Sequence, residues 1–250
     1  MADAADGMNY SAYLRVDELL ALQSVQSTPE HPDEMLFIVV HQASELWFKV
    51  LLHELEQLIV ALQHFDTMRA LLAVQRVNVL MEIVAQQLSA LDTLPPQRFA
   101  QFRGYLGASS GSQSEQFRAI EATAGLRDPH FLAAIADHGE PPAAVARALA
   151  RPTLQALVEA LLAHEDVALE ALYSGPGPTP LFLLVEGLLE FEQRFARWRF
   201  LHVQLVERII GPGTTGTGGT LGAKYLARTM SQRFFPALWA VRSAFYGKSG

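Results

Sequence analysis

Residues 33–65 read DEMLFIVVHQASELWFKVLLHELEQLIVALQHF, and this stretch decides the fold class. Its large apolar residues recur at steps of three and four, which is the period of an amphipathic helix. Pro32 suits a first helical turn, and Asp33 and Glu34 complement the helix dipole there. The run MLFIVV alone could form a buried strand, but its place inside a longer helical period favours helix.

The rest of the 250-residue chain continues this pattern between breaks at proline and glycine. The pattern predicts long helices over 67–94, 153–172, 181–210 and 221–245, the last with a bend at Pro236, and short helices over 96–106, 114–124 and 129–137. No segment alternates apolar and polar residues between turns, as half-buried strands do. The sequence therefore predicts one all-α domain, a helical bundle covering residues 1–250.

Composition excludes several classes of function. The chain has 26 acidic and 19 basic residues and a net charge of −7, which argues against nucleic acid as a partner. It has no cysteine, so disulfides, zinc fingers and iron–sulfur clusters are excluded. The first ten residues contain no secretory signal, and the apolar run LFLLVEGLL is too short to span a bilayer. We therefore expect a cytoplasmic protein with no membrane contact.

A segment rich in glycine and threonine, IIGPGTTGTGGTLG, covers residues 209–222. Its letters GPGTTG match the dinucleotide-binding pattern GxGxxG, but that motif follows a strand, whereas this segment follows a predicted helix. It also lacks the Gly-Lys-Ser/Thr ending of a P-loop. Chemistry alone leaves two interpretations, a flexible helix end or a loop whose threonine hydroxyls bind a carboxylate or an ammonium group.

Three side chains are candidates for chemistry. His41 and His202 lie among apolar neighbours on predicted helices, where a histidine is usually a hydrogen-bonded core residue. A single buried histidine would also suit an axial ligand of haem within an apolar bundle. The sequence has no HExxH motif and no pair of ExxH motifs, so those metal sites are disfavoured. Arg103, between aromatic residues, is either a surface ion pair or a bidentate clamp for a carboxylate.

Four blocks of sequence carry a resemblance to a known family. They are YSAYLRVDELLALQ at 10–23, HPDEMLFIVVHQASELWFKVLLHEL at 31–55, FRGYLGASSGSQSEQFRAIE at 102–121, and WRFLHVQLVERIIG at 198–211 with GTGGTLGAKYL at 216–226 and FFPALWAVR at 234–242. In these blocks and in their order, the chain resembles the tryptophan 2,3-dioxygenases and related haem-dependent aromatic oxygenases. The long match around His41 and the pairing of WRFxH with GTGG are the most specific parts.

The resemblance implies a role for each matching residue. His202 would be the axial ligand of the haem iron, and His41 would be the distal histidine that hydrogen-bonds the indole N–H. Arg103 would clamp the carboxylate of the amino acid. The further residues that the resemblance places at the substrate are Phe37, which packs on the indole, Phe99, Ser110, Thr217 and, from the 1–30 segment of a neighbouring subunit, Tyr10, Tyr13 and Leu14.

The resemblance also implies an all-α fold around haem b and a homotetramer or homodimer. The implied reaction inserts oxygen from O2 into the indole ring of L-tryptophan or a close derivative. In the parent reaction, dioxygenation of the C2–C3 bond gives N-formylkynurenine.

The sequence departs from the family pattern near the pocket. Phe99 stands where a tyrosine is usual, Ser112 where a phenylalanine is usual, and Ala43 where a threonine is usual. GPGTTGTGG replaces the usual GFKRGTGG. These differences leave open a monooxygenase of a substituted tryptophan, such as 3-methyl-tryptophan, or of tyrosine. A non-catalytic haem sensor is a third hypothesis, although a sensor would not need Arg103 and Thr217 to hold an amino acid.

Overall fold

The computed structural model describes residues 9–127, 129–136, 139–175, 177–214 and 229–246, and within these ranges the chain is helical with no strand. The prediction of an all-α fold is therefore confirmed. The α-helices of these ranges are α1 Tyr10–Leu14, α2 Val16–Leu20, α3 Pro32–Gln63, α4 Thr67–Gln87, α5 Pro96–Phe102, α6 Glu115–Ala124, α7 Pro129–Ala136, α8 Ala143–Leu149, α9 Leu154–His164, α10 Leu169–Ser174, α11 Pro180–Ile210 and α12 Pro236–Tyr246.

Three long helices form the core. α4 packs along both α3 and α11, and α6 and α9 pack against α3 as well. The side chains at the centre of this layer are almost fully buried: Leu51, Leu55 and Leu58 of α3, Val74 and Val77 of α4, and Leu184 and Leu188 of α11. Burial of each such side chain contributes about 2 kcal/mol, so this layer holds the two helices that carry the candidate histidines.

Gly187 permits the close crossing of α4 and α11. A Cβ atom at Gly187 would lie 2.8 Å from Cγ1 of Val74, which is fully buried. The amide of Asn78 also donates to the carbonyl oxygen of Gly187 at 2.9 Å. The absence of a side chain at residue 187 therefore sets the distance between the two helices.

Several helix boundaries differ from the prediction. The predicted helix 153–172 is wrong as one element, because α9 ends at His164 and α10 begins at Leu169. Asp166 has φ of 54°, and the next residue, Val167, donates its backbone N–H to the carbonyl oxygen of Leu162 at 3.0 Å. This is a Schellman ending with aspartate where glycine is usual. The predicted helices 67–94 and 96–106 each continue as 3₁₀ helices, Leu88–Thr93 and Arg103–Leu106.

The predicted helix 221–245 also needs correction in the part that the structure describes. Residues 221–228 lie outside the described ranges, and residues 230–235 are not helical. Pro236 begins α12 and does not bend a longer helix. This agrees with the preference of proline for the first turn, where its missing N–H leaves no carbonyl without a partner.

α3 is long and apolar enough to cross a membrane by length and composition, with a mean hydropathy of 1.4 in its most apolar window. Its second half is a core helix, since Leu51, Leu55 and Leu58 pack inside the bundle. Along another face of α3, Met35, Val39, Leu46 and Val50 remain exposed. A single helix of this kind is weak evidence for a membrane span, because core helices of bundles have the same composition.

Candidate active site

α3, α5, α6 and α11 surround a cavity whose empty volume is about 1530 Å³, counting its open mouth. The cavity brings together six residues that the sequence analysis singled out: Phe37, His41, Phe99, Arg103, Ser110 and His202. Thr217 lies outside the described residues. The remaining three, Tyr10, Tyr13 and Leu14, are exposed on α1 and do not line the cavity of their own chain.

His41 is held on α3 in one orientation and one tautomer. Its Nδ1–H donates to the carbonyl oxygen of Phe37 at 2.7 Å, so Nε2 of the neutral ring keeps a lone pair. The rings of the two residues also pack, with 4.2 Å between centroids. Burial lowers the pKa of His41, and the bond to Phe37 and the charge of Glu45 only partly oppose this. The ring is therefore neutral at neutral pH and presents an acceptor.

His202 lies on α11 and borders the same cavity. Its ring stacks on that of Trp198, with 5.1 Å between centroids and 21° between planes. Burial lowers the pKa of His202 to about 4, and the positive charge that His41 can carry adds to this effect. A neutral imidazole is the form that binds a metal, so His202 can bind a metal ion without first releasing a proton.

Phe99 belongs to an aromatic wall of the cavity. Its ring centroid lies 5.6 Å from that of Phe37 and 5.2 Å from that of Phe102, and Phe99 is 6% exposed. Rings at these separations attract one another through edge and face contacts. Phenylalanine side chains therefore pack together between α3 and α5 on this side of the cavity.

Contacts to the start of α3 and to the residues before it fix the segment that carries Arg103. Arg98, on α5, donates to the carboxylate of Asp33 at 2.8 Å. Tyr105, two residues after Arg103, donates its hydroxyl to the carbonyl oxygen of Thr28 at 2.8 Å. These contacts tie Arg103 to the helix that carries His41.

The sequence analysis missed a group of charges at the cavity, of which Glu121 and Arg199 are buried. The carboxylate of Glu121 accepts from Arg199 at 2.6 Å and from Arg118 at 2.7 Å, and all three residues line the cavity. Glu45 also lines it and accepts from the side chain of Gln116 at 2.8 Å. Helical periodicity gives no sign of such charges, because they occupy positions on buried faces that the pattern assigns to apolar residues.

The lining fits a haem group. Haem is a flat apolar ring with two carboxylates and an iron that needs an axial ligand. The cavity offers apolar walls and the neutral imidazole of His202. Trp198 Nε1 is a buried N–H donor that has no hydrogen-bond partner in the described part of the chain. Buried donors need acceptors, and carboxylates on a bound ring would supply them.

Comparison with known proteins gives the family. The profile of the family described as tryptophan 2,3-dioxygenase matches residues 1–165 and 167–245. The chain belongs to the tryptophan 2,3-dioxygenase family. The two matched ranges include all six cavity residues named above.

Individual members of the tryptophan 2,3-dioxygenase family match over nearly their whole length. A protein of Kineococcus radiotolerans named tryptophan 2,3-dioxygenase is 38% identical over 97% of this chain and 93% of its own. A protein of that name from Bacillus thuringiensis subsp. konkukian is 39% identical over 96% of this chain and 94% of its own. One from Anaeromyxobacter sp. strain K is 37% identical over 95% and 96%.

Proposed function

We propose that the chain is a haem-dependent oxygenase that converts L-tryptophan to N-formylkynurenine by dioxygenation of the indole C2–C3 bond. The observation that carries this proposal is the presence of two neutral histidines on one cavity, His202 for the iron and His41 for the substrate. Membership of the tryptophan 2,3-dioxygenase family supports the same reaction.

His202 is the residue that would hold the iron of haem b. Bound there, haem supplies a site where dioxygen binds and is activated. Trp198 Nε1 and the guanidinium group of Arg118 would receive the carboxylates of the ring. The pKa of about 4 keeps His202 deprotonated, so protons do not compete with the metal at neutral pH.

His41 would orient the indole ring. With its Nδ1–H bound to the carbonyl of Phe37, its Nε2 can accept a hydrogen bond from the indole N–H. The ring of Phe37 packs beside it and would limit rotation of the indole. Holding the reacting ring in one orientation is a large part of what a protein contributes to such chemistry.

Three polar residues would hold the amino-acid end of the substrate. Arg103 would form a bidentate pair with the carboxylate, and Thr217 would contact the carboxylate and the ammonium group. The hydroxyl of Ser110 would line the distal side of the pocket. The apolar and aromatic walls would keep water from the reacting atoms.

The two rival functions are not favoured. Relatives that match this chain over nearly its whole length bear the name tryptophan 2,3-dioxygenase, which favours dioxygenation over insertion of one oxygen atom. Phe99 lacks a hydroxyl, yet it closes the wall beside Phe37 as a buried ring. A sensor is disfavoured because Arg103 lines the cavity, where it suits a carboxylate.

Product mass tests the reaction. The haem-loaded protein is reduced and given tryptophan, 3-methyl-tryptophan and tyrosine separately under air. We expect tryptophan to gain two oxygen atoms. A gain of one oxygen would support the monooxygenase, and no product from any of the three would support the sensor.

The assignments of the two histidines have a matched test. His202→Ala is expected to abolish the haem absorption band, and His41→Ala is expected to keep it and lose most turnover. His64→Ala is the control, because His64 also donates Nδ1–H to a carbonyl four residues earlier, that of Val60, but lies outside the cavity. An unchanged haem band in His202→Ala would contradict the iron assignment.

We also infer a homotetramer or homodimer in the cytoplasm. Tyr10, Tyr13 and Leu14 are exposed, and so are the apolar residues Met35, Val39, Leu46 and Val50 along one face of α3. Exposed apolar residues that follow one helix face are typical of a surface that binds another protein. A second copy of the chain is the partner that the family resemblance implies.

A further inference from the structure

Two charged residues on one face of α11 are almost completely buried. Glu192 is 2% exposed and Arg199 is 4% exposed. They are seven residues apart, so they point to the same side of the helix. Removing a charge from water is costly unless it is paired and hydrogen-bonded, so the partners of these residues indicate what the charges do.

Glu192 holds the start of α12. Its carboxylate accepts the backbone N–H of Phe234 at 2.6 Å and of Phe235 at 2.8 Å, and the indole N–H of Trp239 at 2.6 Å. Arg233 also donates to it at 3.0 Å. None of these five residues lines the cavity. Glu192 therefore anchors the fold away from the site.

Arg199 joins three parts of the chain at the cavity itself. Its Nη2 donates to Glu121 on α6 at 2.6 Å, and its Nη1 donates to the carbonyl oxygen of Thr229 at 2.9 Å. Its guanidinium lies 4.7 Å from the ring centroid of Phe195 and 5.6 Å from that of Phe234. Arg199, Glu121 and Thr229 all line the cavity.

The fixed geometry of the guanidinium group explains why this position requires an arginine. The guanidinium is planar and rigid, so Arg199 can bind Glu121 and Thr229 at once with fixed geometry. A lysine ammonium is a single point charge, and it could keep the carboxylate but not reach both acceptors in this way. Thr229 is the first described residue after 215–228, the segment that contains GTGG, and it lines the cavity.

We propose that Arg199 is a positioning residue that fixes the cavity wall at Thr229 and thereby sets the affinity for the amino-acid substrate. This inference rests on the proposed function. Glu121 is its necessary partner, because this carboxylate on α6 binds Arg199 directly and so couples the wall at Thr229 to α6, while Arg118 of the same helix binds its other oxygen. Arg199 does not touch the reacting atoms in this role. Substitution of Arg199 should therefore raise KM for the amino acid more than it lowers kcat.

The test compares Arg199→Lys with Arg242→Lys in the haem-loaded protein. Arg242 is a matched control, because it also pairs with a carboxylate, that of Glu186, and donates to a backbone carbonyl, that of Leu238, but lies outside the cavity. For Arg199→Lys we expect KM for tryptophan to rise about tenfold, the loss of one hydrogen bond, with kcat within about threefold and haem absorption unchanged. Arg242→Lys should leave both constants within about twofold.

Hydrogen exchange supplies a readout that does not depend on turnover. Arg199→Lys should speed amide exchange in peptides covering 229–235, and Arg242→Lys should not. If Arg199→Lys does not fold, Glu121→Gln must give the same rise in KM and the same local exchange. Unchanged KM, an equal loss in kcat and haem binding, or failure of both cavity variants to fold would overturn the proposal. A wild-type protein that oxygenates no substrate would instead overturn the proposed function.

Discussion

Burial gives His202 a strong influence on stability at acidic pH. Its pKa is about 4 in the folded chain and about 6.5 in the unfolded chain, so the unfolded chain takes up a proton first as pH falls. The stability contributed by the neutral ring is full above pH 6.5 and is lost as pH falls towards 4. The haem-free protein should therefore lose roughly 2 kcal/mol between pH 7 and pH 5 through this residue.

Urea unfolding of the haem-free protein at the two pH values measures this loss. The matched variant is His202→Gln, which keeps a polar side chain of similar length but does not titrate. The difference in unfolding free energy between pH 7 and pH 5 should be smaller in the variant by roughly 2 kcal/mol. Equal pH dependence of the two proteins would show that burial does not depress the pKa of His202.

Arg103 should decide whether the enzyme distinguishes an amino acid from an amine. Tryptamine has the indole ring and the ammonium group of tryptophan but no carboxylate. We expect Arg103→Ala to lower kcat/KM for tryptophan by roughly 10- to 100-fold, because a charged hydrogen-bonded pair is lost, and to leave tryptamine nearly unaffected. Arg69→Ala is the control, since Arg69 is an exposed arginine that does not line the cavity. An equal loss on both substrates would contradict the clamp.

Residues at the site differ in how far the sequence could predict them. Periodicity marked His41 and His202 as buried histidines but could not give them a role, and the family resemblance supplied one. Glu121 and Arg199 were missed because a buried ion pair has no periodic signal: each partner lies on a different helix, and only tertiary contact brings them together. The indole N–H of Trp198, which has no hydrogen-bond partner in the described part of the chain, became visible only with the structure.

Helix ends also show that features set by tertiary packing are hard to predict from sequence. The end of α6 was predicted correctly because Gly125, with φ of 118°, is the usual residue for a left-handed helix end. α9 ends in the same way at Asp166, and α3 at Phe65, with φ of 56°. Neither residue signals a left-handed conformation, which costs a residue with a side chain roughly 1–2 kcal/mol. Packing around Val167 overrides local preference, and packing is not readable from neighbours in sequence.

Because α4 and α11 cross closely, we expect one added methyl group at residue 187 to lower the unfolding free energy. Gly187→Ala would place Cβ 2.8 Å from Cγ1 of Val74, a buried and rigid side chain. Overpacking costs about 1–3 kcal/mol, and the better helix propensity of alanine returns up to about 1 kcal/mol. We expect a net loss of roughly 1–2 kcal/mol in unfolding free energy.

A double variant identifies the cause. Val74→Ala alone should destabilise by leaving a cavity, but Val74→Ala with Gly187→Ala should be more stable than the sum of the two losses predicts. Denaturant unfolding of the four proteins gives the coupling energy. Strict additivity would mean that the crossing relaxes freely and that Gly187 does not set its distance.

At the scale of the whole molecule, α1 contributes nothing to the core of its own chain. None of its residues is buried, and Tyr10 and Tyr13 are 78% and 73% exposed. Truncation of two exposed tyrosines should therefore leave the fold stable. Only the resemblance predicted that this segment reaches a neighbouring subunit, since one sequence cannot specify contacts between copies. A stable but inactive variant, Tyr10→Ala with Tyr13→Ala, is the expected outcome.

Mixed assemblies test that prediction directly. One chain carries Tyr10→Ala with Tyr13→Ala, and the other carries His202→Ala with an intact N-terminal segment. Each is expected to be inactive alone, but in a co-expressed mixture the second chain can supply its tyrosines to the intact cavity of the first. Turnover should then return in the mixture and not in a mixture of His202→Ala with a chain that carries all three changes. If turnover stays absent in the first mixture although the chains co-purify, each cavity is completed by its own chain and the predicted exchange of segments is wrong.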